Sequence, residues 1–300
     1  PEPARAAAPF TGHFSASSLT AFVECARKWY YRYLCNVVDD PGSSASFYGT
    51  AFHAALERFH QNFPRVDGEP AEVLEQRLDG AIVEAFDPFR RSFGTPAEFE
   101  LQLRRARRTA KHYLRWVRER ARTRPFSVVA TEAKIELLLD GREFVGYIDR
   151  LDRDDATGDV TVIDYKTGAI AQSAAEYRAG IVDQVEFQLP LYYWARTAAG
   201  DRVRSLTLVP LKDALADVRP IELEIVPYGN GSAQRGAPSG TISIGELERA
   251  RGRMAALAEQ LATGAIERFA TTTDPTACTY CAYRNACRER PHDGEERFGR

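Results

Sequence analysis

Apolar positions in the first part of the chain recur every three or four residues, the spacing of one helix face. Over residues 15–34, SASSLTAFVECARKWYYRYL, an apolar face opens at Leu19, Phe22 and Val23, with Ser17 or Ser18 available as an N-cap. Phe52, Leu56, Phe59 and Phe63 predict a second helix over 50–63. Residues 71–124 continue as helices, with a break near FGTP at 93–96. The period then falls to two, and strands are predicted over 128–131, 135–139, 144–153 and 160–166. Asp140-Gly141 is a hairpin signal between the second and third. Residues 182–199 return to helix, SLTLVPL (205–211) and IELEIVPY (221–228) read as strands, and 244–269 reads as a long helix. A Gly/Ser-rich loop is expected over 229–240. This order predicts an α/β fold: a central mixed β-sheet flanked by helices, preceded by a helical N-terminal region.

Composition narrows the class. With 300 residues, 44% apolar and 27% charged, the chain can bury a sizeable core and is not of disordered type. It contains no apolar run of eighteen, so no membrane helix is expected. Net charge is −2, yet residues 104–124, RRARRTAKHYLRWVRERARTR, are strongly basic. Five cysteines at unequal spacing do not form a secreted disulfide pattern, which points to a cytoplasmic setting. Residues 1–14 read as a linker, 15–290 as one domain with a helical insertion about 65–124, and 291–300 as a polar tail.

The stretch GYIDRLDRDDATGDVTVIDYKTG, 146–168, puts an acid in each of two strands. A turn centred between Ala156 and Thr157 opposes residues whose numbers sum to 313, which sets Asp149 across from Asp164 on one face. Opposed β-carbons lie about 5 Å apart. Two carboxylates that close repel, and a divalent cation between them removes the repulsion. Oxygen-rich ligation suits Mg²⁺ or Mn²⁺. Lys166, on the same face as Asp164, could position a water or a phosphate. Asp152, Asp154, Asp155 and Asp159 read as solvated acids around the turn.

An acid followed by D-x-K on the next strand resembles the PD-(D/E)xK nucleases, and GYIDRLDR…VIDYKTG resembles their RecB-like branch. GTAFHAALE (49–57) resembles that branch's first motif, which implies His53 as a metal ligand beside Asp149 and Asp164. TEAKIEL supplies Glu132, similar to a further acid near the site, and QLPLYYWA (188–195) resembles the Q-x-x-x-Y motif, giving Gln188 and Tyr192. The resemblance implies a restriction-endonuclease-like core and a metal-dependent DNA nuclease. It implies action on single strands or DNA ends in repair or recombination, with a helicase domain or subunit as partner. Two other readings remain: a CRISPR spacer-acquisition-type nuclease, which is usually smaller, and a catalytically silent cluster-bearing DNA-binding module.

CTYCAYRNAC places Cys278, Cys281 and Cys287 as C-x2-C-x5-C, three ligands of a four-thiolate site. Spacing leaves open zinc or an iron–sulfur cluster, and Cys25 or Cys35 as the fourth ligand. RecB-like nucleases with an iron–sulfur staple place one cysteine before the first motif and three after the last. That resemblance implies a 4Fe-4S cluster on Cys25, Cys278, Cys281 and Cys287, although Ala26 replaces the usual Pro. Such a staple would restrict the unfolded chain by several kcal/mol in the chain-entropy account. In the basic segment, Arg104, Arg108, Arg115 and Arg118 are expected to share a face, with Tyr113 or Trp116 available to stack on bases.

Overall fold

The computed structural model describes residues 9–37, 42–212, 216–227, 240–264, 266, 269–279 and 281–287. The N-terminal region holds α1 (Ala16–Glu24), the short α2 (Ala26–Trp29) running into a π-turn over Tyr30–Leu34, α3 (Ser44–Asn62), α4 (Ala71–Phe86) and α5 (Pro96–Thr123). Strands β1 (Phe126–Leu139), β2 (Arg142–Asp154) and β3 (Val160–Lys166) follow. Helices α6 (Ala174–Val182) and α7 (Gln188–Ala198) lead to β4 (Val203–Pro210), β5 (Ile221–Val226) and β6 (Thr241–Ser243). The chain closes with α8 (Ile244–Thr263) and α9 (Thr276–Thr279). Of the loop predicted over 229–240, residues 229–239 lie outside the described residues, as does the tail over 291–300.

Local chemistry accounts for the helix ends. Ser15, not Ser17 or Ser18, caps α1 in a capping box with Ser18. The helix expected over 15–34 is interrupted at Cys25, which is extended at φ −162° and ψ 107°. Thr95 caps α5 with Pro96 in its first turn, which explains the break at FGTP. Ser243 and Glu246 form the capping box of α8, and Gly264 at φ 67° ends that helix at Thr263, six residues short of the predicted boundary. The helix expected over 182–199 is α7, which starts only at Gln188; the separate α6 before it was not foreseen, and Gln184 at φ 61° lies in the turn between them.

The sheet runs in sequential order, β1-β2-β3-β4-β5-β6. Pairing is antiparallel for β1/β2, β2/β3 and β4/β5, and parallel for β3/β4 and β5/β6. The two strands predicted over 128–139 are one fourteen-residue strand. One core fills the face under α1, α7 and α8, with Leu19, Ile148, Val162, Leu191 and Met254. The other fills the face under α3, α4 and α5, with Phe52, Leu56, Phe59, Tyr113 and Ile163. Thus β3 is buried on both faces, and any polar group on it is withdrawn from water. Residues 9–14 do not behave as a linker: Phe14 is buried and exchanges backbone hydrogen bonds with Glu143 and Val145 of β2. No helix among the described residues is long and apolar enough to cross a membrane.

Candidate metal centre and thiol pocket

Paired residues of β2 and β3 sum to 313, from Arg153↔Val160 to Arg150↔Ile163. The next pair in that register is Asp149 and Asp164, and there the ladder stops. Asp149 Oδ2 accepts the backbone N–H of Tyr165 at 2.5 Å, so a carboxylate occupies a donor that a longer ladder would take. On the other side of β2, the pairs Thr131↔Arg150 and Ala133↔Ile148 bracket Glu132 and Asp149. Three acids therefore lie in one row across three neighbouring strands. Glu132 holds a left-handed backbone at φ 44°, a conformation costly for a non-glycine residue and frequent at functional sites.

Helix α3 crosses this row. Its stripe of Phe52, Leu56 and Phe59 is buried against the sheet, and Gly49 admits the close approach: a β-carbon there would lie 2.9 Å from Thr167 Oγ1. The crossing sets His53 Nδ1 3.3 Å from Asp149 Oδ1 and 3.9 Å from Glu132 Oε1. Ligating atoms of His53, Glu132 and Asp149 all fall within 4.8 Å of one another. The trio differs from the expected His53, Asp149 and Asp164, because Glu132 takes the third place.

Asp164 is instead held toward α7. Its Oδ1 accepts from Gln188 Nε2 at 2.8 Å, and its Oδ2 lies 2.6 Å from Lys166 Nζ without a hydrogen bond of good geometry. Gln188 ties the group together: its Oε1 accepts from Lys166 Nζ at 2.6 Å, and its Nε2 reaches Tyr192 Oη at 2.9 Å. Tyr192 in turn donates to the Tyr147 carbonyl at 2.5 Å. Gln188 and Tyr192 thus meet one turn apart on α7, as i,i+4 spacing requires.

The electrostatics are those of crowded anions. Burial, opposed by Lys166 and reinforced by Asp149, pushes the Asp164 carboxyl up to about 6. Burial and the Asp149 charge push Glu132 up to about 6. Burial disfavours charge on His53, but the hydrogen bond and charge of Asp149 outweigh it and raise its pKa. Three acids and one imidazole, with the Asp164 Oδ2 buried and without a hydrogen bond, form a donor set that fits Mg²⁺ or Mn²⁺.

The cysteines converge elsewhere. Cys25, Cys278, Cys281 and Cys287 line one narrow pocket, and all are free thiols. Burial and the other three thiols push the Cys278 thiol upward. Cys35 is exposed and does not line the pocket. The break at Cys25 turns that residue out of the helix line, and the two chain ends are laced around it. Arg27 Nε donates to the Phe269 carbonyl at 2.8 Å, Trp29 stacks on Phe269 with centroids 5.8 Å apart, and Tyr283 donates to the Val37 carbonyl at 3.0 Å.

Much of the basic segment serves packing. Tyr113 is fully buried and unavailable to bases, and Trp116, half-buried, packs on it at 5.7 Å. Arg115 pairs with Asp217, and Arg105 bonds the Lys212 carbonyl at 2.6 Å and lies over the Tyr48 ring. Arg104 and Arg108 are exposed. Asp152, read as a solvated turn acid, is buried and gripped by Arg150 through two bonds of 2.6 and 2.7 Å. The signal was present: residues two apart on a strand share a face, so Arg150 and Asp152 in IDRLDR could have been paired. A cleft of about 570 Å³ beside Lys166 and Gln188 was also unforeseen; Thr20, Glu24, Lys28, Arg32, Tyr177 and Glu186 line it.

A family model described as the PD-(D/E)XK nuclease superfamily matches residues 13–288. The chain belongs to that superfamily, and its mixed sheet with flanking helices is the restriction-endonuclease-like fold. No curated protein matches significantly. Among solved structures, "Crystal structure of SSO0001" is similar at 12% identity and a TM-score of 0.31, over 91% of this chain and 98% of that one; nothing is drawn from a likeness of this size.

Proposed function

We propose that the chain is a metal-dependent DNA nuclease of the RecB-like branch, acting on single strands or DNA ends in repair or recombination. One observation carries the reading: His53, Glu132 and Asp149 converge within 4.8 Å beside an Asp164–Lys166 pair. His53, Glu132 and Asp149 would hold Mg²⁺ or Mn²⁺, with the raised Asp164 carboxyl as a further ligand once deprotonated. The bound cation would supply an activated water and neutralise charge at the scissile phosphate. Lys166 would place its ammonium against that phosphate or the attacking water. Gln188 would hold the Lys166 head in place, and Tyr192 would fix Gln188 and the Tyr147 backbone. The adjoining cleft, with Lys28 and Arg32 on its wall, gives a strand of DNA a route to Lys166.

The four thiols of the pocket would hold a 4Fe-4S cluster. Four free thiols that line one pocket supply the four thiolates such a cluster takes. Partnership with a helicase domain or subunit accords with this reading.

The test uses labelled single- and double-stranded DNA with Mn²⁺, comparing the native chain with Asp164→Ala. The native chain should cleave and Asp164→Ala should not. Binding without cleavage by the native chain would instead identify a silent DNA-binding module. Iron and sulfide analysis of anaerobically purified protein tests the cluster; zinc alone would refute it.

A further inference from the structure

Three of the four elements that supply the acid centre, β2, β3 and α3, also carry a buried residue with a polar group not used there. Arg150 follows Asp149 on β2, Tyr165 lies between Asp164 and Lys166 on β3, and His60 stands two turns along α3 from His53. All three meet at the hydroxyl of Tyr113 on α5. That oxygen lies 2.6 Å from His60 Nε2, 2.6 Å from Tyr165 Oη, and accepts from Arg150 Nη1 at 2.7 Å. Arg150, with no exposed surface, also donates to His60 Nε2 at 2.9 Å and holds Asp152 by two bonds. Arg120 of α5 closes the far end on Asp152. Guanidinium only donates, so His60 Nε2 accepts and that ring stays neutral; burial and Arg150 hold its pKa well below the usual value.

Two links run from this knot to the metal ligands. The Tyr165 N–H is bonded to Asp149, and the Tyr165 ring meets His53 edge-on at 5.7 Å and 86°. Apolar packing of α3 on the sheet is non-directional and leaves its sliding loosely specified. Hydrogen bonds fix distance and angle. A buried ion pair is seldom worth more stability than well-packed apolar residues of the same volume, so stability alone is a weak reason for this one.

We propose that the Tyr113–Arg150–Tyr165–His60 knot is a positioning device for the metal centre, setting α3 against β2 and β3 so that His53, Glu132 and Asp149 converge. This rests on the metal reading above, and none of the four touches the ion or the reacting atoms.

Mn²⁺ binding measured by electron paramagnetic resonance on the full chain with its native cofactors tests it, alongside circular dichroism and melting temperature. Tyr113→Phe removes one hydroxyl and no ligand. It should weaken Mn²⁺ binding about ten- to a hundredfold, the usual effect of disturbing an outer-shell partner, at temperatures where the fold is intact. Tyr165→Phe, which keeps the ring and the N–H, should produce a smaller loss, and Asp149→Ala should abolish binding. A lower melting temperature with Mn²⁺ affinity kept within about twofold would reduce the knot to scaffold and overturn the proposal. If Tyr113→Phe is insoluble, Tyr165→Phe decides by the same criterion. Failure of the native chain to bind Mn²⁺ would remove the metal reading first and the proposal with it, which separates the two failures.

Discussion

The acid centre and the thiol pocket are organised in opposite ways. The first draws its residues from long regular elements, and sheet register with one crossing helix brings His53, Glu132 and Asp149 together. The second draws one thiol from a helix break and three from a four-residue helix and turns near residue 280. It is held by aromatic contacts and backbone bonds between chain ends. Register is set by the whole sheet, so the acid centre should exist before its ion arrives. The thiol pocket has no such frame, and the group it binds should do much of the organising.

The largest expected break in this comparison is at the acids. Asp149→Ala should lower Mn²⁺-dependent cleavage on the order of a thousandfold, by loss of transition-state charge stabilisation, while iron content and visible spectrum stay native. A shared loss of both would show that the two centres are one cooperative unit. Next in size is Cys278→Ala. With the proposed cluster as a tie between chain ends, its loss should cost about 2–5 kcal/mol by analogy with removing a cross-link, read as a lower melting temperature, poorer solubility and weaker DNA binding. Mn²⁺ affinity of the soluble fraction should be preserved. A Cys278→Ala protein that stays folded, brown and fully active would refute the staple.

Acidity sharpens the contrast. Asp164 and Glu132 titrate near 6 because burial and mutual repulsion favour their neutral forms. A carboxyl raised in the folded state binds its proton more tightly than in the unfolded chain. In the metal-free protein its charge therefore costs stability above about pH 6, and that cost is absent below the unfolded value near 4. Metal needs the charged forms, so Mn²⁺ affinity should fall by roughly tenfold per pH unit for each displaced proton below about pH 6. The gain in melting temperature on adding Mn²⁺ should shrink over the same interval. An affinity flat between about pH 7.5 and 5 would place neither acid at the ion. The smallest expected effect is at Glu136, whose exposed pair with Lys134 lies outside both centres. Glu136→Gln should leave both the melting temperature and cleavage essentially unchanged, because an exposed ion pair is screened by water and salt.

The hairpin was legible from sequence because a strand has period two and the turn is short; the sum of 313 holds for every β2–β3 pair. The fold class followed from the switch of period near residue 126. Glu132 was harder. A left-handed residue inside a strand disturbs the alternation, so one strand looked like two and the row of three acids was hidden. The acids around the turn looked alike as letters, yet Asp152 is buried by its Arg150 partner, and only tertiary packing shows that α5 covers it. Tyr113 sat in a basic run that resembled a DNA-facing helix, but its stripe faces inward.

The twisted backbone at Glu132 also bears on how such a chain would change under selection. Glycine tolerates that geometry freely, so Glu132→Gly should relax the strand even as it removes a proposed ligand of the ion. Heat tolerance and catalytic competence are thereby set against each other at one codon. A lineage released from the need to cut would have a ready one-step route to a sturdier, inert descendant.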